Sequence, residues 1–349
     1  MTTNGVTKVL VVDDSAYVRK VVTQMLSRSP LLEVVGTARD GREALDQVAD
    51  LEPDVVTCDL IMPELDGVGF VREQMQRRPV PIIIMSVAKE TAEAALTALD
   101  AGAIDFVQKP TALASEKIFE VSSELIDKVK AAGSISLNRL PTVPAPQPTR
   151  SSEPSVAGTH SVDVVVIGIS TGGPQALKRL IPQLPADFPV PVVMVMHMPV
   201  GYTEMYAAKL NEQSDLEVRE AAAGDEIKTG RVFLAPAGRH LSFKRDANGK
   251  VVTHLDAKPF NSLHRPSVDV LFQSAAEVYG NRVLGVVMTG MGSDGKQGAA
   301  WIKSQGGLVF TEAESSCVVY GMPSVVVDAG LSDKSITLED MAHAIRKVV

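Results

Sequence analysis

Short apolar runs alternate with amphipathic helical patterns along most of this 349-residue chain. The runs in the first part of the chain cover residues 6–12, 34–37, 55–59, 82–86 and 104–107. The same alternation restarts at Val162. Apolar runs of this length, bounded by polar turns and separated by helices, are typical of the buried strands of a parallel sheet. The pattern predicts an α/β fold class with two successive domains, the second of them doubly wound and mostly parallel.

A proline-rich segment separates the two alternating regions. Apolar periodicity is lost between residues 133 and 159, where prolines occur among Ser, Thr, Ala and Gln. Such a segment favours extended conformations and cannot form a core. We therefore predict a first domain over residues 1–130, a Pro/Ser-rich linker over 131–160 and a second domain over 161–349.

Composition and charge exclude several classes of function. Apolar residues make up 45% and charged residues 22%, as in ordinary globular proteins. The net charge of −8 argues against binding to nucleic acid or to anionic membranes, so we expect proteins or small molecules as partners. Cys58 and Cys317 lack the spacing of a disulfide framework or a zinc site. Without a signal-peptide pattern or an apolar run of about 20 residues, we expect a cytoplasmic protein with no membrane insertion.

Three carboxylates follow strands of the first predicted sheet. Asp13 and Asp14 end the first apolar run, and Asp59 ends the third. Their mutual repulsion at one sheet edge would be relieved by a cation, and hard oxygen ligands suit Mg²⁺. Ser86 and Lys109 end two later runs, where a hydroxyl and an ammonium can hold the remaining oxygens of a phosphoryl group. The sequence therefore predicts a magnesium and phosphate site.

These five polar positions resemble the response-regulator receiver family over nearly all of residues 6–128. The resemblance implies a flavodoxin-like fold with a five-stranded parallel sheet. Taken singly, each aspartate could instead cap a helix or lie in a turn, and Phe106 could be a core aromatic. The roles that the resemblance implies are phosphorylation at Asp59, Mg²⁺ binding by Asp13, Asp14 and Asp59, phosphate pairing by Lys109, and switching by Ser86 and Phe106.

A serine lies at the first strand-to-helix turn of the second domain. The apolar run ends at Ser170, and Gly172, Gly173 and Pro174 lead into a helical pattern. Gly168-x-Ser170-x-Gly172 has the spacing of a nucleophile elbow. Ser170 could instead cap the helix. A dinucleotide site is disfavoured, because Ser170 stands at the position where the glycine-rich dinucleotide-binding motif needs its second glycine. The next strand also ends without the acidic residue that would bind a ribose hydroxyl.

A histidine and an aspartate complete the candidate chemistry. His197 directly ends a buried apolar run, and His240 and His264 are its rivals because they lie in or before loops. Asp294 follows a later run within a glycine-dense loop, where it could also be a turn or cap residue. The carboxyl ends of parallel strands share one edge. Ser170, His197 and Asp294 could therefore converge as nucleophile, base and orienting acid.

The strings that hold these residues closely resemble the chemotaxis methylesterase family CheB. They are Gly-x-Ser-Thr-Gly-Gly, His-Met-Pro and Thr-Gly-Met-Gly-x-Asp-Gly, with His-Arg-Pro-Ser-Val-Asp at 264–269. The order Ser, His, Asp is not that of the α/β-hydrolase fold. Ile169 departs from the family, which more often has a small residue there, and we expect it to narrow the pocket without changing the triad.

The resemblance implies hydrolysis of glutamate γ-methyl esters on methyl-accepting chemoreceptors, and deamidation of receptor glutamines. It implies Ser170 as nucleophile, His197 as general acid/base and Asp294 as the orienting acid. Met291 would donate a backbone N–H to the oxyanion, with Thr171 beside it in the substrate site. No cofactor is expected in the hydrolase site. The resemblance also implies that a chemotaxis histidine kinase phosphorylates the receiver, and that the unphosphorylated receiver covers the catalytic edge.

One other class of function stays open. The chain could be a phosphorylated signalling adaptor whose C-terminal domain binds a partner without turnover. A DNA-binding output is disfavoured, because the C-terminal half is not basic and shows strands rather than a helix-turn-helix.

Overall fold

The computed structural model describes residues 5–87, 91–109, 115–135, 162–259 and 262–349, the side chains of residues 115–120 excepted. It divides into two compact units, Met1–Ala145 and Pro146–Val349. Most of the linker predicted over 131–160 lies outside the described residues. Within the described ranges, no helix has the length and hydropathy needed to cross a bilayer.

Strands and helices alternate through the first unit. They are β1 (Thr7–Val12), α1 (Ala16–Leu26), β2 (Leu32–Ala38), α2 (Gly41–Leu51), β3 (Val55–Asp59), α3 (Gly67–Arg77), β4 (Ile82–Ser86), α4 (Ala92–Asp100), β5 (Asp105–Gln108) and α5 (Ser115–Gly133). The strands form one parallel sheet in the order β2-β1-β3-β4-β5, the flavodoxin-like order. The predicted five-stranded parallel fold is confirmed.

Local sequence explains where these helices start. The side chains of Ser15, Asp40 and Asp66 each accept a backbone N–H in the first turn of α1, α2 and α3, which satisfies a donor that the helix itself leaves free. At the other end of the unit, α5 continues past residue 130 to Gly133. Ala132 and Ile135 are buried, so their packing carries the unit into the region predicted as linker.

The second unit has a larger sheet. Its elements are β6 (Val164–Ile169), α6 (Gly173–Leu180), β7 (Val192–Met196), α7 (Thr203–Asn211), β8 (Glu217–Glu220), β9 (Arg231–Leu234), β10 (His240–Arg245), β11 (Val251–Asp256), α8 (Val268–Tyr279), β12 (Val283–Val287), α9 (Lys296–Ser304), β13 (Leu308–Glu312), α10 (Met322–Asp328), β14 (Lys334–Ile336) and α11 (Leu338–Arg346). The sheet order is β14-β13-β12-β6-β7-β9-β8 with every pair parallel, and β10 and β11 form a separate antiparallel hairpin.

Helices cover both faces of this sheet. Val164 and Val166 of β6 belong to one core cluster with Phe272 of α8 and Ile302 of α9. The intervening strand residues face the other side, where α6 packs against α11. The predicted doubly wound α/β fold is confirmed, and its strands are buried on both faces as parallel sheets require.

Each sheet has a switch point, where the connections that follow two neighbouring strands lead in opposite directions across the sheet. In the first unit such a point lies between β1 and β3, and in the second one lies between β6 and β12. Open α/β sheets bind ligands in the crevice at such a point, beyond the carboxyl ends of the strands. The fold therefore indicates one candidate site in each unit, and both lie where the sequence places its polar residues.

Candidate functional site

The predicted residues of the first unit meet beyond β1 and β3. Carboxylate oxygens of Asp13, Asp14 and Asp59, hereafter the acidic pocket, lie within 4.8 Å of one another. Nζ of Lys109, just after β5, lies 2.7 Å from Oδ2 of Asp13 and 2.8 Å from Oδ2 of Asp59. Asp13 and Asp59 are buried, while Asp14 is exposed. The lysine thus bridges two buried carboxylates.

Burial and charge oppose each other in this pocket. Burial raises the pKa of Asp59 above its ordinary value, and the hydrogen bond and charge of Lys109 offset only part of that rise. Burial alone would lower the pKa of Lys109, but its contacts with Asp13 and Asp59 raise it. Three convergent carboxylates are the hard oxygen ligands that suit Mg²⁺, so the acidic pocket fits that ion.

Two further predicted residues lie on the neighbouring strands. Oγ of Ser86, at the end of β4, is 2.5 Å from Oγ1 of Thr91, which itself donates to the carbonyl oxygen of Val87. Ser86 is therefore the donor to Thr91. Phe106 is fully buried in β5, and its carbonyl oxygen accepts a hydrogen bond from Lys128 of α5. The switching roles of Ser86 and Phe106 stay predictions.

In the second unit a tight turn carries Ser170 out of β6. The backbone N–H of Ser170 donates to the carbonyl oxygen of Thr289, and its own carbonyl accepts from Gly173. Gly172 has a φ of +80°, and a Cβ there would lie 2.6 Å from Cβ of Val318. Only glycine suits both this conformation and this approach. The turn leaves Ser170 at the carboxyl edge of the sheet.

His197 lies beside Ser170 at the end of the neighbouring strand. Ile169 of β6 pairs with Met196 of β7, and the N–H of His197 donates to the carbonyl oxygen of Ile169. Ser170 and His197 therefore follow paired positions. Nε2 of His197 lies 2.8 Å from Oδ2 of Asp294, and both side chains are largely buried. The structure brings the three predicted residues to one edge.

Asp294 is held by a dense set of donors besides His197. Its Oδ2 accepts the N–H of Val268 at 2.8 Å. Its Oδ1 accepts the Ser267 hydroxyl and the N–H groups of Asp269 and Gly295 at 2.9 to 3.1 Å. Burial alone would raise the pKa of Asp294, but the hydrogen bond and charge of His197 and these backbone donors lower it well below its usual range. The carboxyl group is therefore ionised.

The ionised carboxylate fixes the histidine tautomer. A carboxylate only accepts hydrogen bonds, so Nε2 of His197 carries the proton and Nδ1 of the neutral ring has a lone pair. Nδ1 is buried and has no hydrogen-bond partner among the described residues. In serine proteases the carboxylate binds Nδ1 and Nε2 acts as base, whereas here the carboxylate binds Nε2 and the lone pair is on Nδ1.

The rival histidines have other surroundings. His240 is buried, its Nε2 lies 3.2 Å from the carbonyl oxygen of Pro259, and burial lowers its pKa. The ring of His264 stacks on the ring of His197, with centroids 4.0 Å apart and planes inclined by 20°. His254 lies in β11 of the antiparallel hairpin. His197, by contrast, is hydrogen-bonded to Asp294.

Sequence reasoning missed the residues that support the triad. Ser267 and Asp269 lie within the quoted His-Arg-Pro-Ser-Val-Asp string, but no role was expected for them. Oδ1 of Asp269 accepts the N–H groups of Gly295 and Gly298, which fixes the start of α9. Burial, with the charge of Asp294, raises the pKa of Asp269 to about 6.

Met291 and Thr171 lie at the same edge as the triad. A Cβ on Gly290 would lie 2.7 Å from Cβ of Ser170, so the segment before Met291 touches the nucleophile turn. The carbonyl oxygen of Thr171 accepts the Thr289 hydroxyl. Ile169 is fully buried, and it packs against Gly173 at the start of α6. The oxyanion and substrate roles of Met291 and Thr171 stay predictions.

Comparison with known proteins adds the family. Residues 165–345 match the family model described as CheB methylesterase, and residues 9–119 match the response regulator receiver domain. The chain belongs to the CheB methylesterase family. This assignment confirms the resemblance drawn from the motifs, and it supports the hydrolase interpretation rather than the adaptor.

CheB relatives match along the whole chain. The protein-glutamate methylesterase/protein-glutamine glutaminase 5 of Myxococcus xanthus is 51% identical over 352 residues and covers 100% of both chains. That of Symbiobacterium thermophilum is 45% identical and covers 98% of this chain and 97% of its own. The crystal structure of the Thermotoga maritima CheB methylesterase catalytic domain is 42% identical, with a TM-score of 0.53, and covers 54% of this chain and 100% of that one.

Proposed function

We propose that this CheB chain is a receiver-controlled serine hydrolase that removes methyl groups from glutamate γ-methyl esters of methyl-accepting chemoreceptors. Deamidation of receptor glutamines is part of the proposal, because the relatives are named for both activities. The observation that carries the chemistry is the His197–Asp294 pair beside Ser170, with Nδ1 of His197 left available.

Acylation begins at Ser170. Its Oγ attacks the ester carbonyl carbon while Nδ1 of His197 accepts the hydroxyl proton. The tetrahedral intermediate collapses, the bond to the methoxy group breaks, and His197 returns the proton so that methanol leaves. Asp294 stabilises the imidazolium that forms between these two proton transfers, and it holds the ring in place throughout.

Deacylation repeats the chemistry with water. His197 accepts a proton from water, the hydroxide attacks the glutamyl-serine ester, and the proton returns to Oγ of Ser170. A free glutamate carboxylate remains on the receptor. With a glutamine substrate the leaving group is ammonia, and the second half is the same. None of these proton transfers needs a metal or cofactor.

The tetrahedral oxygen needs donors at the same edge. We assign the backbone N–H of Met291 to this task, because Gly290 brings its segment against Ser170. Thr171 would contact the substrate from the nucleophile turn. Removing one oxyanion donor costs about 3 kcal/mol of transition-state stabilisation in measured serine hydrolases.

The receiver would control this reaction from the acidic pocket. Asp59 would take the phosphoryl group from a chemotaxis histidine kinase, and Lys109 would pair with a phosphate oxygen. Asp13, Asp14 and Asp59 would hold Mg²⁺, which offsets negative charge when bound. Ser86 and Phe106 would respond to the new phosphate. A cytoplasmic location stays a prediction, which cell fractionation tests.

Methanol release from methylated chemoreceptor membranes tests the proposal. We expect release by the wild type, an increase on adding a small phosphodonor with Mg²⁺, and a loss of several orders of magnitude in Ser170→Ala. Ammonia release from receptors that carry glutamine tests deamidation in the same assay.

The control is a methylesterase that demethylates the same membranes. If it releases methanol and the wild-type chain does not, the hydrolase proposal fails and the adaptor interpretation returns. Binding of the receptors by Ser170→Ala would then be measured, because an adaptor keeps its partner without turnover.

A further inference from the structure

A buried carboxyl group that the proposed mechanism does not use lies one strand away from the nucleophile. Glu312 ends β13, which pairs with β12 up to Val287 and Thr311. Its side chain is fully buried. No cation forms an ion pair with it among the described residues. A buried carboxylate without a cation is costly, so its contacts call for an explanation.

The contacts of Glu312 are donations to its carboxylate. Oε2 accepts the backbone N–H of Thr289 at 2.9 Å, and Oε1 accepts the hydroxyl of Ser316 at 3.0 Å. The Ser316 oxygen in turn accepts the N–H of Leu338 at the start of α11. The pairing of β12 with β13 has ended before Thr289, so the side chain supplies the acceptor that a strand backbone would supply. A buried N–H without an acceptor would be destabilising.

Thr289 connects Glu312 to the nucleophile turn. Its carbonyl oxygen accepts the N–H of Ser170 at 3.0 Å, and its hydroxyl donates to the carbonyl oxygen of Thr171 at 2.9 Å. The same hydroxyl oxygen accepts the N–H of Val319. Every polar group of Thr289 is thus engaged, and two of its bonds hold the two residues of the nucleophile turn.

We propose that Glu312 is a positioning residue for Ser170, acting through Thr289. The inference rests on the proposed hydrolase function. The carboxylate fixes the position of the Thr289 backbone at the sheet edge, and Thr289 in turn fixes the backbone of Ser170 and Thr171. Glu312 does not touch substrate or Ser170 itself, so its effect is on the geometry of attack, where small displacements cost large factors in rate.

The charge on Glu312 makes this role testable by pH. Burial and, to a smaller extent, the negative charge of Glu339 on α11 raise its pKa, the donors Thr289, Ser316 and Cys317 lower it, and the net result is a pKa of about 7. The ionised group accepts from Thr289 and Ser316 with a full negative charge. Protonation places hydrogen on one oxygen and weakens one of these bonds. Ionised Glu312, present above that pH, therefore holds Thr289 more firmly.

The experiment measures kcat and KM for methanol release from methylated receptor membranes across pH 5.5 to 9. In Glu312→Gln, which keeps the shape but cannot ionise, we expect kcat at pH 8 to fall roughly tenfold with KM unchanged. The ratio of the wild-type kcat to the variant kcat should shrink as pH falls below about 7, because Glu312 of the wild type is then protonated. The rise of kcat with pH that Glu312 contributes is called its limb of the pH profile. In Glu339→Gln this limb should move to lower pH, because loss of the neighbouring negative charge lowers the pKa of Glu312.

Asp333→Asn is the matched control. Asp333 directly precedes β14, and its Oδ2 accepts the N–H of Val309 near the amino end of β13 at 2.7 Å. Like Glu312, it is a carboxylate that accepts a backbone N–H, but it lies at the amino edge of the sheet, away from the triad, and it also pairs with Lys303. We expect its kcat and pH profile to match the wild type even if the unfolding temperature falls.

Several results would overturn the positioning role. If Glu312→Gln released methanol with the kcat and the pH profile of the wild type, the positioning role would be rejected. The proposed hydrolase function would be unaffected by that result. An unmoved limb in Glu339→Gln would reject it even if Glu312→Gln does not fold. If the wild type released no methanol, hydrogen exchange would decide: faster exchange of the 168–173 amides is expected in Glu312→Gln, and equal exchange rejects the role.

Discussion

The acidic pocket of the receiver and the triad of the hydrolase both place a buried aspartate at the turning point of a parallel sheet. Asp59 has the ammonium group of Lys109 and the N–H of Leu60 as partners. Asp294 has His197, a hydroxyl and three backbone N–H groups. Burial acts on both groups in the same direction, yet the pKa of Asp59 is raised and that of Asp294 is lowered.

The difference teaches that the number of donors, rather than depth, decides what a buried carboxylate can do. Both oxygens of Asp294 accept hydrogen bonds from fixed donors, which suits the permanent anion proposed to orient a base. Asp59 lies in a pocket with two other carboxylates and the ammonium group of Lys109, which suits a group proposed to form a bond to phosphorus. We thus propose a supporting role for this residue type in one unit and a reacting role in the other.

The largest expected effect comes from removing the anion of the triad. Asp294→Asn keeps the size of the side chain, but its amide cannot satisfy five donors and no longer selects the Nε2–H tautomer of His197. We expect methanol release to fall by about four orders of magnitude, as in a serine protease triad. Receiver phosphorylation, followed with a small phosphodonor, should be unchanged.

The fold of this variant can be followed separately. Trp301 of α9 is the only tryptophan of the chain, so its fluorescence reports on the second unit. If Asp294→Asn unfolded cooperatively on heating and still released methanol at more than a tenth of the wild-type rate, the tautomer argument would be contradicted.

The second test removes the reacting carboxylate. Asp59→Asn should leave hydrolysis low and unresponsive to phosphodonor, because the amide cannot accept the phosphoryl group. Its affinity for Mg²⁺ should also fall, since one of three carboxylates is lost. Isothermal titration with Mg²⁺ and methanol release with and without phosphodonor measure the two effects.

Deleting residues 1–140 tests the proposed control of the hydrolase by the receiver in a second way, because it removes the receiver. If the receiver restrains the hydrolase, the truncated chain should be active without phosphodonor. A truncated chain that is folded yet less active than the full chain would contradict restraint. A tenfold activation corresponds to about 1.4 kcal/mol between restrained and released states.

The smallest expected effect concerns a third aspartate, which lies beside Asp294. The folded pKa of Asp269 is about 6, above the ordinary value of 3.8, so the folded chain binds this proton more tightly than the unfolded chain. Its contribution to stability is present below about pH 4 and is lost as pH rises through 6. Asp269→Asn keeps an acceptor oxygen and removes this dependence.

We therefore expect the Tm of Asp269→Asn, followed by Trp301 fluorescence, to exceed the wild-type Tm by about 2 °C at pH 8. The difference should shrink toward zero near pH 4. A difference that does not change with pH would show that the charge of Asp269 does not affect the stability of this unit.

Motifs at strand ends could be predicted from the sequence because each is local. The apolar runs at 55–59 and 82–86 coincide with β3 and β4, since polar residues bound them closely. Ser170 and His197 each follow a buried strand, and parallel topology alone brings such positions together. The start of the linker at residue 131 stays a prediction; Ala132 and Ile135 give no periodic pattern in the sequence and are buried by tertiary packing.

Partners that come from distant segments could not be predicted. Ser267 and Asp269 meet Asp294 across more than twenty residues of chain, and Glu312 meets a backbone N–H at Thr289. Every residue except proline has a backbone N–H, so the sequence does not indicate which of these donors will need a side-chain acceptor. His197 and His264 could not be ranked by contact either, because their stacking appears only in three dimensions.

The separation of the triad along the chain has a consequence for biosynthesis. His197 and its acid lie 97 residues apart, and the receiver sequence precedes both. Domains fold as units, N-terminal first during synthesis. A nascent chain would therefore complete its receiver before β12 and Asp294 are synthesised, and it would carry the proposed nucleophile and base without the anion proposed to orient the base. Hydrolysis can begin only after the receiver that precedes it has emerged from the ribosome.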